Sequence, residues 1–308
     1  MIFAKRQAAA IAEAGQLVET FFLASRTEPT AIYKEYRRLR RTIAAFQPDI
    51  VHSQFGTVTA LLCALATARP LVITFYGGDL NPDAAPPSLR VRAARFFSQL
   101  GALRARRMVC VSRHMVPQLW WRRSRVSIIP CGVDTRVFTP QAKSSARQVL
   151  GWRADERIVL FNAGSDPRRK RLDLAERAVE CARGRCGAIR LVVLRGDDTP
   201  EQVALAMNGA DCMVVTSDSE GSPTIVQEAL ACRLPIVSVP VGDIAERLDG
   251  VRPSCIVPRD PVRIGDAVCA ILASGRRSNG DTVLTEIALP EVARRLIAVY
   301  RQAVGEPA

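Results

Sequence analysis

Apolar runs and amphipathic stretches alternate along the chain, and this pattern predicts a parallel α/β protein. Short runs of apolar, often β-branched residues are expected to form buried strands, and longer stretches with helical periodicity are expected to form helices. Strands that alternate with helices are typical of parallel sheets built from βαβ units. Strands are predicted at residues 17–24, 49–52, 71–75, 108–111, 126–129, 157–163, 189–195, 212–216, 235–239 and 254–257.

The helical segments divide between two such α/β halves. Residues 140–151 lie between the two halves and include several polar side chains. They are predicted to form a linker with a short helix. We therefore expect two domains, 1–143 and 144–308. The longer helices are predicted at residues 1–14, 33–46, 57–68, 89–107, 170–182, 200–207, 224–232 and 283–304.

Residues 211–241 form the most informative segment, with the pattern strand, loop, helix, strand. Ser222 is predicted as the N-cap of the helix and Pro223 as its first residue. A helix start offers free N–H groups to a phosphate or hydroxyl. Glu220 and Glu228 flank these donors, and carboxylates accept hydrogen bonds from sugar hydroxyls. The alternative is that both glutamates are solvated side chains of an ordinary helix.

The spacing Glu220-x7-Glu228, with proline at the helix start and small residues along the helix, resembles the signature of retaining glycosyltransferases of family 4. The resemblance implies the GT-B fold, in which two Rossmann-like α/β domains face a cleft and the last helix returns to the first domain. It also implies that Glu220 contacts the donor sugar as a catalytic residue and that Glu228 holds the ribose. The neighbouring donor-binding residues would be Gly221, Ser222, Pro223 and Thr224.

A basic loop follows the predicted strand 157–163 and contains four cations in residues 164–171. Such a loop would neutralise a diphosphate leaving group. The family carries an Arg and, five residues later, a Lys; Lys170 matches the Lys, but Ser165 occupies the Arg position. The resemblance therefore makes Lys170 catalytic, with Arg168, Arg169 and Gly164 as donor-binding residues. The alternative is a solvated basic turn.

The first half contains further family landmarks in the family's order, at residues 49–52, 74–79, 111–112 and 129–134. Tyr76 stands where the family commonly has a catalytic-site histidine. A tyrosine can hydrogen-bond a sugar hydroxyl but is not a base near neutral pH, so this substitution places full activity in question. Asp79 is expected to cap the following segment. For His52, a packed core position and a ligand-binding position remain alternatives.

The beginning of the chain differs from the family pattern. A Rossmann-like domain opens with a strand and a Gly-rich loop before its first helix, whereas this sequence begins with a segment that is predicted to be that helix. We therefore expect an incomplete start. The alternative is that another segment replaces the strand.

Composition narrows the class of protein. The chain has 308 residues, enough for about two domains, and its 48% hydrophobic and 24% charged content is typical of a globular protein. No apolar run approaches the ~20 residues of a membrane span. Nine cysteines are scattered without a zinc-binding spacing, which is consistent with thiols in a reducing cytoplasm. We expect no metal and no cofactor, with a nucleoside diphosphate sugar as the donor substrate.

The net charge of +13 lies in the first half. Residues 1–150 contain 22 Lys and Arg against 8 Asp and Glu, whereas residues 151–308 contain 21 against 22. A basic half implies an acidic partner, and the pattern contains no nucleic-acid-binding motif. The sequence Trp120-Trp121-Arg122-Arg123 and the arginine-rich helices make an anionic membrane surface a candidate partner, at the inner face of the membrane. Solvated basic faces are the alternative.

These observations predict a cytoplasmic retaining glycosyltransferase that moves a hexose to a glycan, lipid-linked or small-molecule acceptor. Two alternatives remain: a catalytically impaired sugar-nucleotide-binding GT-B protein, favoured by the incomplete start, Tyr76 and Ser165, and a GT-B epimerase or phosphorylase. A dehydrogenase is disfavoured because no G-x-G-x-x-G motif follows a strand.

Overall fold

The structure is a computed structural model that describes residues 2–81 and 88–306, without the side chain of Ile2. Contacts divide the chain into two compact units, and each is described by itself. Unit 1 extends to Cys131 and resumes at Leu289, and unit 2 is Gly132–Ala288. The domain limits expected at residues 143 and 144 lie later in the chain than this division.

Helices and strands alternate along both units. The first part of the chain forms α1 (Ile2–Glu13), α2 (Pro29–Phe46), β1 (Val51–Ser53), α3 (Thr57–Ala66), β2 (Leu71–Phe75), α4 (Leu89–Arg104), β3 (Arg107–Cys110) and β4 (Val126–Ile128). The next part forms α5 (Lys143–Leu150), β5 (Ile158–Asn162), α6 (Pro167–Lys170), α7 (Leu172–Cys186), β6 (Arg190–Leu194), α8 (Pro200–Gly209), β7 (Cys212–Val215) and α9 (Thr224–Ala231). The remainder forms β8 (Ile236–Ser238), α10 (Ile244–Arg247), β9 (Cys255–Ile256), α11 (Pro261–Ser274), α12 (Leu284–Ile287) and α13 (Leu289–Val304).

The sheet of unit 1 has the order β1-β2-β3-β4, and every pair of neighbouring strands is parallel. Alternate residues of a strand point to opposite faces. Ile73 and Phe75 therefore pack against α3 and α4 on one face, while Val72 packs against α1 and α13 on the other. The predicted parallel α/β class is confirmed for this unit.

A hydrogen-bonded histidine joins α13 to the sheet of unit 1. The two ring nitrogens of His52 lie 2.7 Å from the hydroxyl of Tyr300 and 2.7 Å from that of Thr74. Burial lowers the pKa of His52 to about 4, so the ring is neutral at pH 7. His52 is half-buried, and side chains of unit 1 contact both of its ring nitrogens. Its alternative role as a ligand-binding residue stays untested.

The strand predicted at residues 17–24 is wrong, because the structure has irregular chain there. A strand is stable only when a neighbour shares its hydrogen bonds, and this segment pairs with no described strand. Two of its large apolar side chains, Leu17 and Phe22, are exposed. The loose alternation of apolar and polar residues in this segment therefore does not indicate a strand.

Unit 2 has a five-stranded parallel sheet in the order β6-β5-β7-β8-β9. The chain leaves β5 toward one edge of the sheet, forms β6, and then returns to the other side of β5 to form β7. Helices α7 and α11 cover one face, and α8 and α9 cover the other. The change of direction creates a topological switch point at the carboxyl ends of β5 and β7, where open α/β sheets bind ligands.

Several helix limits differ from the predicted ones. A short helix, α6, precedes α7, with Arg171 in a left-handed conformation between them (φ 59°). The last helix starts at Leu289, later than predicted, and α11 had not been predicted. No helix in the described ranges has the length and apolar character that a membrane crossing requires.

The lowered pKa of His52 makes the stability of the protein depend on pH. An unfolded chain binds the His52 proton below about pH 6.5, and the folded chain binds it only below about pH 4. The unfolded state therefore binds more protons between these two pH values. The contribution of neutral His52 to the free energy of unfolding is present above pH 6.5 and is lost as the pH falls toward 4. We expect a loss of about 3 kcal/mol of unfolding free energy.

Urea titrations at several pH values, with His52→Gln as the comparison, measure this effect. The variant should show a shallower decline than the wild type between pH 6.5 and 4. Equal declines in the two proteins would contradict the assignment of a neutral histidine with a lowered pKa.

Candidate functional site

Two loops meet at the switch point of unit 2. Residues 163–171 follow β5, and residues 216–223 follow β7. Strands β5 and β7 are parallel neighbours, with Phe161 paired with Val214. The loops that follow two neighbouring parallel strands emerge at the same edge of the sheet. The topology therefore brings the predicted basic loop and the predicted glutamate loop together.

Hydrogen bonds join the two loops. The Thr216 hydroxyl lies 2.9 Å from the carbonyl oxygens of both Lys170 and Arg171. The backbone N–H of Asp218 donates to the carbonyl of Arg169 at 2.9 Å. Because each bond satisfies a backbone group of one loop with a group of the other, the relative position of the loops is fixed in the absence of a ligand.

Lys170 and Glu220 form an ion pair across these loops. The Lys170 ammonium nitrogen lies 2.5 Å from Glu220 Oε1, and the side chains are only 13% and 9% exposed. Arg169 Nη1 lies 3.4 Å from the same oxygen and donates to the Ser219 carbonyl at 2.8 Å. Three of the predicted site residues thus converge, and a small cavity lined by Lys170, Asn162 and Ser217 among others lies beside them.

Arg259, in the loop between β9 and α11, was not identified from the sequence. Its guanidinium donates to the carbonyl oxygens of Thr216 (2.5 Å) and Ser217 (2.7 Å) and pairs with Asp218 (3.1 Å). Arg171 also pairs with Asp218, at 3.3 Å. Arg259 therefore also holds the glutamate loop, and no local sequence pattern could have indicated this long-range contact.

Gly164 lies where the chain leaves β5 and has a left-handed conformation (φ 52°), which favours glycine. The Gly164 N–H donates to Asn162 Oδ1 at 3.2 Å. Gly196 lies close by, since a Cβ on Gly196 would be 3.3 Å from the Gly164 Cα. Ser165 and Arg168 are exposed in the same loop. The structure therefore brings Arg169, rather than Arg168, to Glu220.

Ser222 does not cap helix α9, so this prediction is wrong. The helix begins at Thr224, and Pro223 is at the N-cap position without a side-chain cap. The Ser222 hydroxyl instead donates to Asp243 Oδ2 at 2.8 Å and accepts from Gln227 Nε2 at 3.0 Å. A buried carboxylate in the next loop therefore competes successfully for the hydroxyl.

Asp243 holds a third loop against the site. It is buried and accepts a hydrogen bond from Arg247 Nε at 3.0 Å. Burial raises the pKa of Asp243, and the positive charge of Arg247 opposes this rise. At the preceding Gly242, a Cβ would lie 2.9 Å from the Gly221 carbonyl oxygen and 3.1 Å from Glu220 Cβ. The loop after β8 thus supports the loop that carries Glu220, and sequence analysis missed it.

Glu228 lies within α9 and is buried, as are its neighbours from Ile225 to Ala231. Gly221, Ser222 and Pro223 are also buried, and Thr224 is half-buried at the start of the helix. The roles given to Glu228 and to these four residues stay predictions.

Tyr76 belongs to unit 1. Its hydroxyl contacts the side-chain amide oxygens of Gln54 and Gln7, the latter at 3.2 Å. Burial is the main reason that the pKa of Tyr76 is raised well above 10, so the hydroxyl stays protonated at neutral pH. It can act as a hydrogen-bonding group but not as a base. Its catalytic role stays a prediction.

The neighbouring Asp79 is fully buried and structural. Its carboxylate accepts from the backbone N–H groups of Gly56 (2.8 Å), Tyr76 (3.0 Å) and Gly77 (2.9 Å). Elsewhere, among the described residues, no cluster of three or more His, Cys, Asp or Glu side chains could hold a metal ion.

Comparison with known families identifies the class of protein. The model of Glycosyltransferase Family 4 matches residues 1–137, and the model of Glycosyl transferases group 1 matches residues 144–274. The two matches together span most of the chain. The chain belongs to the family 4 glycosyltransferases.

One relative is similar in sequence, and two solved structures are similar in fold. D-inositol 3-phosphate glycosyltransferase of Mycobacteroides abscessus is 30% identical over 164 residues, which cover 44% of this chain and 36% of that protein. Sucrose-phosphate synthase from Thermosynechococcus elongatus superimposes with a TM-score of 0.76 at 18% identity, over 98% of this chain and 92% of its own. Anabaena HepE in complex with UDP-glucose superimposes with a TM-score of 0.68 at 15% identity, over 96% and 88%.

The predicted GT-B class, two parallel α/β sheets, is therefore confirmed. The chain spans little more than a third of the Mycobacteroides relative. The activity, donor and acceptor of this family member are accordingly matters of proposal.

Proposed function

We propose that the protein is a retaining glycosyltransferase that transfers a hexose from a nucleoside diphosphate sugar to an acceptor hydroxyl. The contact between Lys170 and Glu220 at the switch point of unit 2 carries this proposal. A cation for a leaving diphosphate and a carboxylate for sugar hydroxyls are the two groups that binding of an activated sugar requires, and they lie side by side.

The basic loop suits the diphosphate. A lysine ammonium has three N–H donors, so Lys170 can keep its bond to Glu220 while it donates to a phosphate oxygen. The Arg169 guanidinium lies beside it and is partly exposed. These charges stabilise the negative charge that develops on the leaving nucleoside diphosphate.

The glutamate loop suits the sugar. Glu220 is held in place by Lys170, while the packing of Gly242 and Asp243 supports the loop around it. A carboxylate that is oriented before the ligand arrives loses less conformational entropy on binding. We assign Glu220 to the hydroxyls of the transferred hexose and Glu228 to the ribose.

The transfer needs no protein nucleophile. The bond from the hexose C1 to the β-phosphate oxygen breaks while the acceptor oxygen bonds to C1 on the same face. The acceptor hydroxyl loses its proton to a β-phosphate oxygen of the departing diphosphate. The products are the glycosylated acceptor and the nucleoside diphosphate, with the anomeric configuration retained.

Similar proteins suggest the substrate classes. HepE binds UDP-glucose in a solved complex, which supports a uridine diphosphate hexose as the donor. The Mycobacteroides relative is named for a phosphorylated inositol acceptor. For this protein we propose a hydroxyl of a glycan, a lipid-linked saccharide or a small polyol phosphate.

The alternative is a sugar-nucleotide-binding protein without turnover. Tyr76 favours it, because the hydroxyl is enclosed by Gln54 and Gln7 where the family commonly has a histidine. Binding of UDP-glucose without hydrolysis or transfer would support this alternative.

Substitutions in the ion pair distinguish the role of Lys170 in diphosphate binding from the role of Glu220 in sugar binding. Lys170→Met should weaken UDP binding about 10- to 100-fold, because a charge-assisted hydrogen bond is lost. Glu220→Gln should leave UDP affinity nearly unchanged but lower UDP-glucose hydrolysis at least about 100-fold, because the sugar is no longer held. Titration calorimetry and a hydrolysis assay measure the two effects.

Matched controls are Arg177→Gln and Glu176→Gln, which lie exposed on α7 and should change neither quantity. The double variant Lys170→Met/Glu220→Gln removes the unpaired charge that each single variant leaves. Full turnover by a folded Glu220→Gln protein would overturn the assignment of Glu220.

Retention is testable separately with water as the acceptor. Hydrolysis of UDP-α-glucose by a retaining enzyme first releases α-glucose, because the new bond forms on the face of the departing phosphate. Proton NMR spectra recorded before mutarotation distinguish the anomers. Initial release of β-glucose would contradict the retaining mechanism while leaving the donor site intact.

A further inference from the structure

Helix α4 of unit 1 carries exposed apolar side chains at a helical spacing. Leu89, Phe96 and Leu103 are seven residues apart, so they lie on one side of the helix. All three are exposed, Leu89 to 81%. Trp120, 58% exposed, extends this surface, with its ring centroid 6.2 Å from that of Phe96. We call these four residues the apolar stripe. Large exposed apolar patches are uncommon on soluble proteins and mark interaction surfaces.

The apolar stripe is surrounded by positive charge. Between residues 88 and 133 the sequence contains ten arginines and neither Asp nor Glu. Arg90 and Arg92 are exposed on α4 beside Leu89 and Phe96, and Arg122 and Arg123 follow Trp120 in the chain. This stretch of the chain therefore carries a large positive charge.

The stripe stands on a rigid support. The opposite side of α4 packs closely on α3, where a Cβ on Gly101 would lie 2.7 Å from the Ala60 Cβ. Gln99 holds both tryptophans. Its side-chain oxygen accepts from the backbone N–H of Trp120 (3.0 Å), and its backbone carbonyl accepts from the indole Nε1–H of Trp121 (2.9 Å). The stripe is thus presented by a packed helix and not by a loose segment.

We propose that the apolar stripe and its arginines form a docking surface for an anionic phospholipid membrane. Helices that lie in a membrane interface combine an aromatic and aliphatic face with flanking cations. A tryptophan ring is suited to the headgroup region. The arginines attract anionic lipids, and the stripe enters the boundary between headgroups and acyl chains.

Two other occupants fit the surface less well. A second copy of the chain would bring the arginines of α4 against each other, because a two-fold contact pairs each patch with itself. Single-stranded nucleic acid stacks its bases on aromatic rings, but the aliphatic Leu89 and Leu103 offer no ring to stack on. A lipid surface satisfies both the aliphatic and the cationic groups.

Vesicle sedimentation tests the proposal with the whole chain. The protein should bind phosphatidylcholine vesicles that contain phosphatidylglycerol and should bind pure phosphatidylcholine vesicles more weakly. Trp120→Ser with Phe96→Ser should weaken binding at least about tenfold. Arg90→Gln with Arg92→Gln should weaken it about fivefold for each arginine. Brominated lipids should quench the tryptophan fluorescence of the wild type.

Matched controls lie in unit 2. Val149→Ser removes an exposed apolar side chain from α5, and Arg177→Gln with Arg276→Gln removes two exposed charges. Neither control should change vesicle binding. Because every substituted side chain is exposed, circular dichroism should show folded protein in each case.

Three results would overturn the proposal. The first is vesicle binding that the stripe variants and the control variants affect equally. The second is the absence of binding to the anionic vesicles; oligonucleotide binding that the stripe variants abolish would then indicate a nucleic-acid surface. The third is a dimer in light scattering that Trp120→Ser with Phe96→Ser converts to a monomer. The donor-site variants at Lys170 and Glu220 should leave vesicle binding unchanged, so failure of the proposed reaction is distinguishable.

Discussion

The attachment of the loop after β7 to the loop after β5 is the constraint on which the candidate site depends. The bonds from Thr216 and Asp218 to the backbone of residues 169–171 fix the two loops at one edge of the sheet. Arg259 neutralises Asp218 and binds two carbonyl oxygens of the second loop. An ammonium and a carboxylate, 50 residues apart in the sequence, are consequently held 2.5 Å apart.

This arrangement differs from an ordinary surface ion pair. Lys170 and Glu220 are largely removed from solvent, so screening of their charges by water and salt is weak. Removing one partner would leave the other charge buried without compensation, which is costly. The pair is therefore well suited to a ligand that supplies both an anion and hydroxyl groups, because such a ligand can satisfy both side chains at once.

The sequence predicted those parts of the fold that depend on local pattern. Strand β2 has the predicted limits, because its five residues are all buried and four of them are apolar. The segment 17–24 was assigned wrongly, since strand formation also requires a neighbour that local pattern does not reveal. The apolar stripe was missed for a similar reason: Leu89, Phe96 and Leu103 have the spacing of core residues, and only the structure shows that this side of α4 is exposed.

The site was predictable to the extent that its residues lie in short motifs. Lys170, Arg169 and Glu220 were identified, and the parallel topology explains why they meet. Ser222 was wrongly predicted as an N-cap, because its hydroxyl donates to Asp243, which lies in the next loop. Arg259 and Asp243 act through contacts that connect distant parts of the sequence, so no spacing rule could have identified them.

Hydrogen exchange with and without UDP-glucose tests the central claim most directly, because it locates ligand protection along the backbone without any substitution. The account predicts slower exchange of amides in residues 163–171 and 216–225, with little change in the remaining loops of unit 2. Protection that appears elsewhere in unit 2, or binding that leaves these two loops unprotected, would contradict a donor site at the switch point.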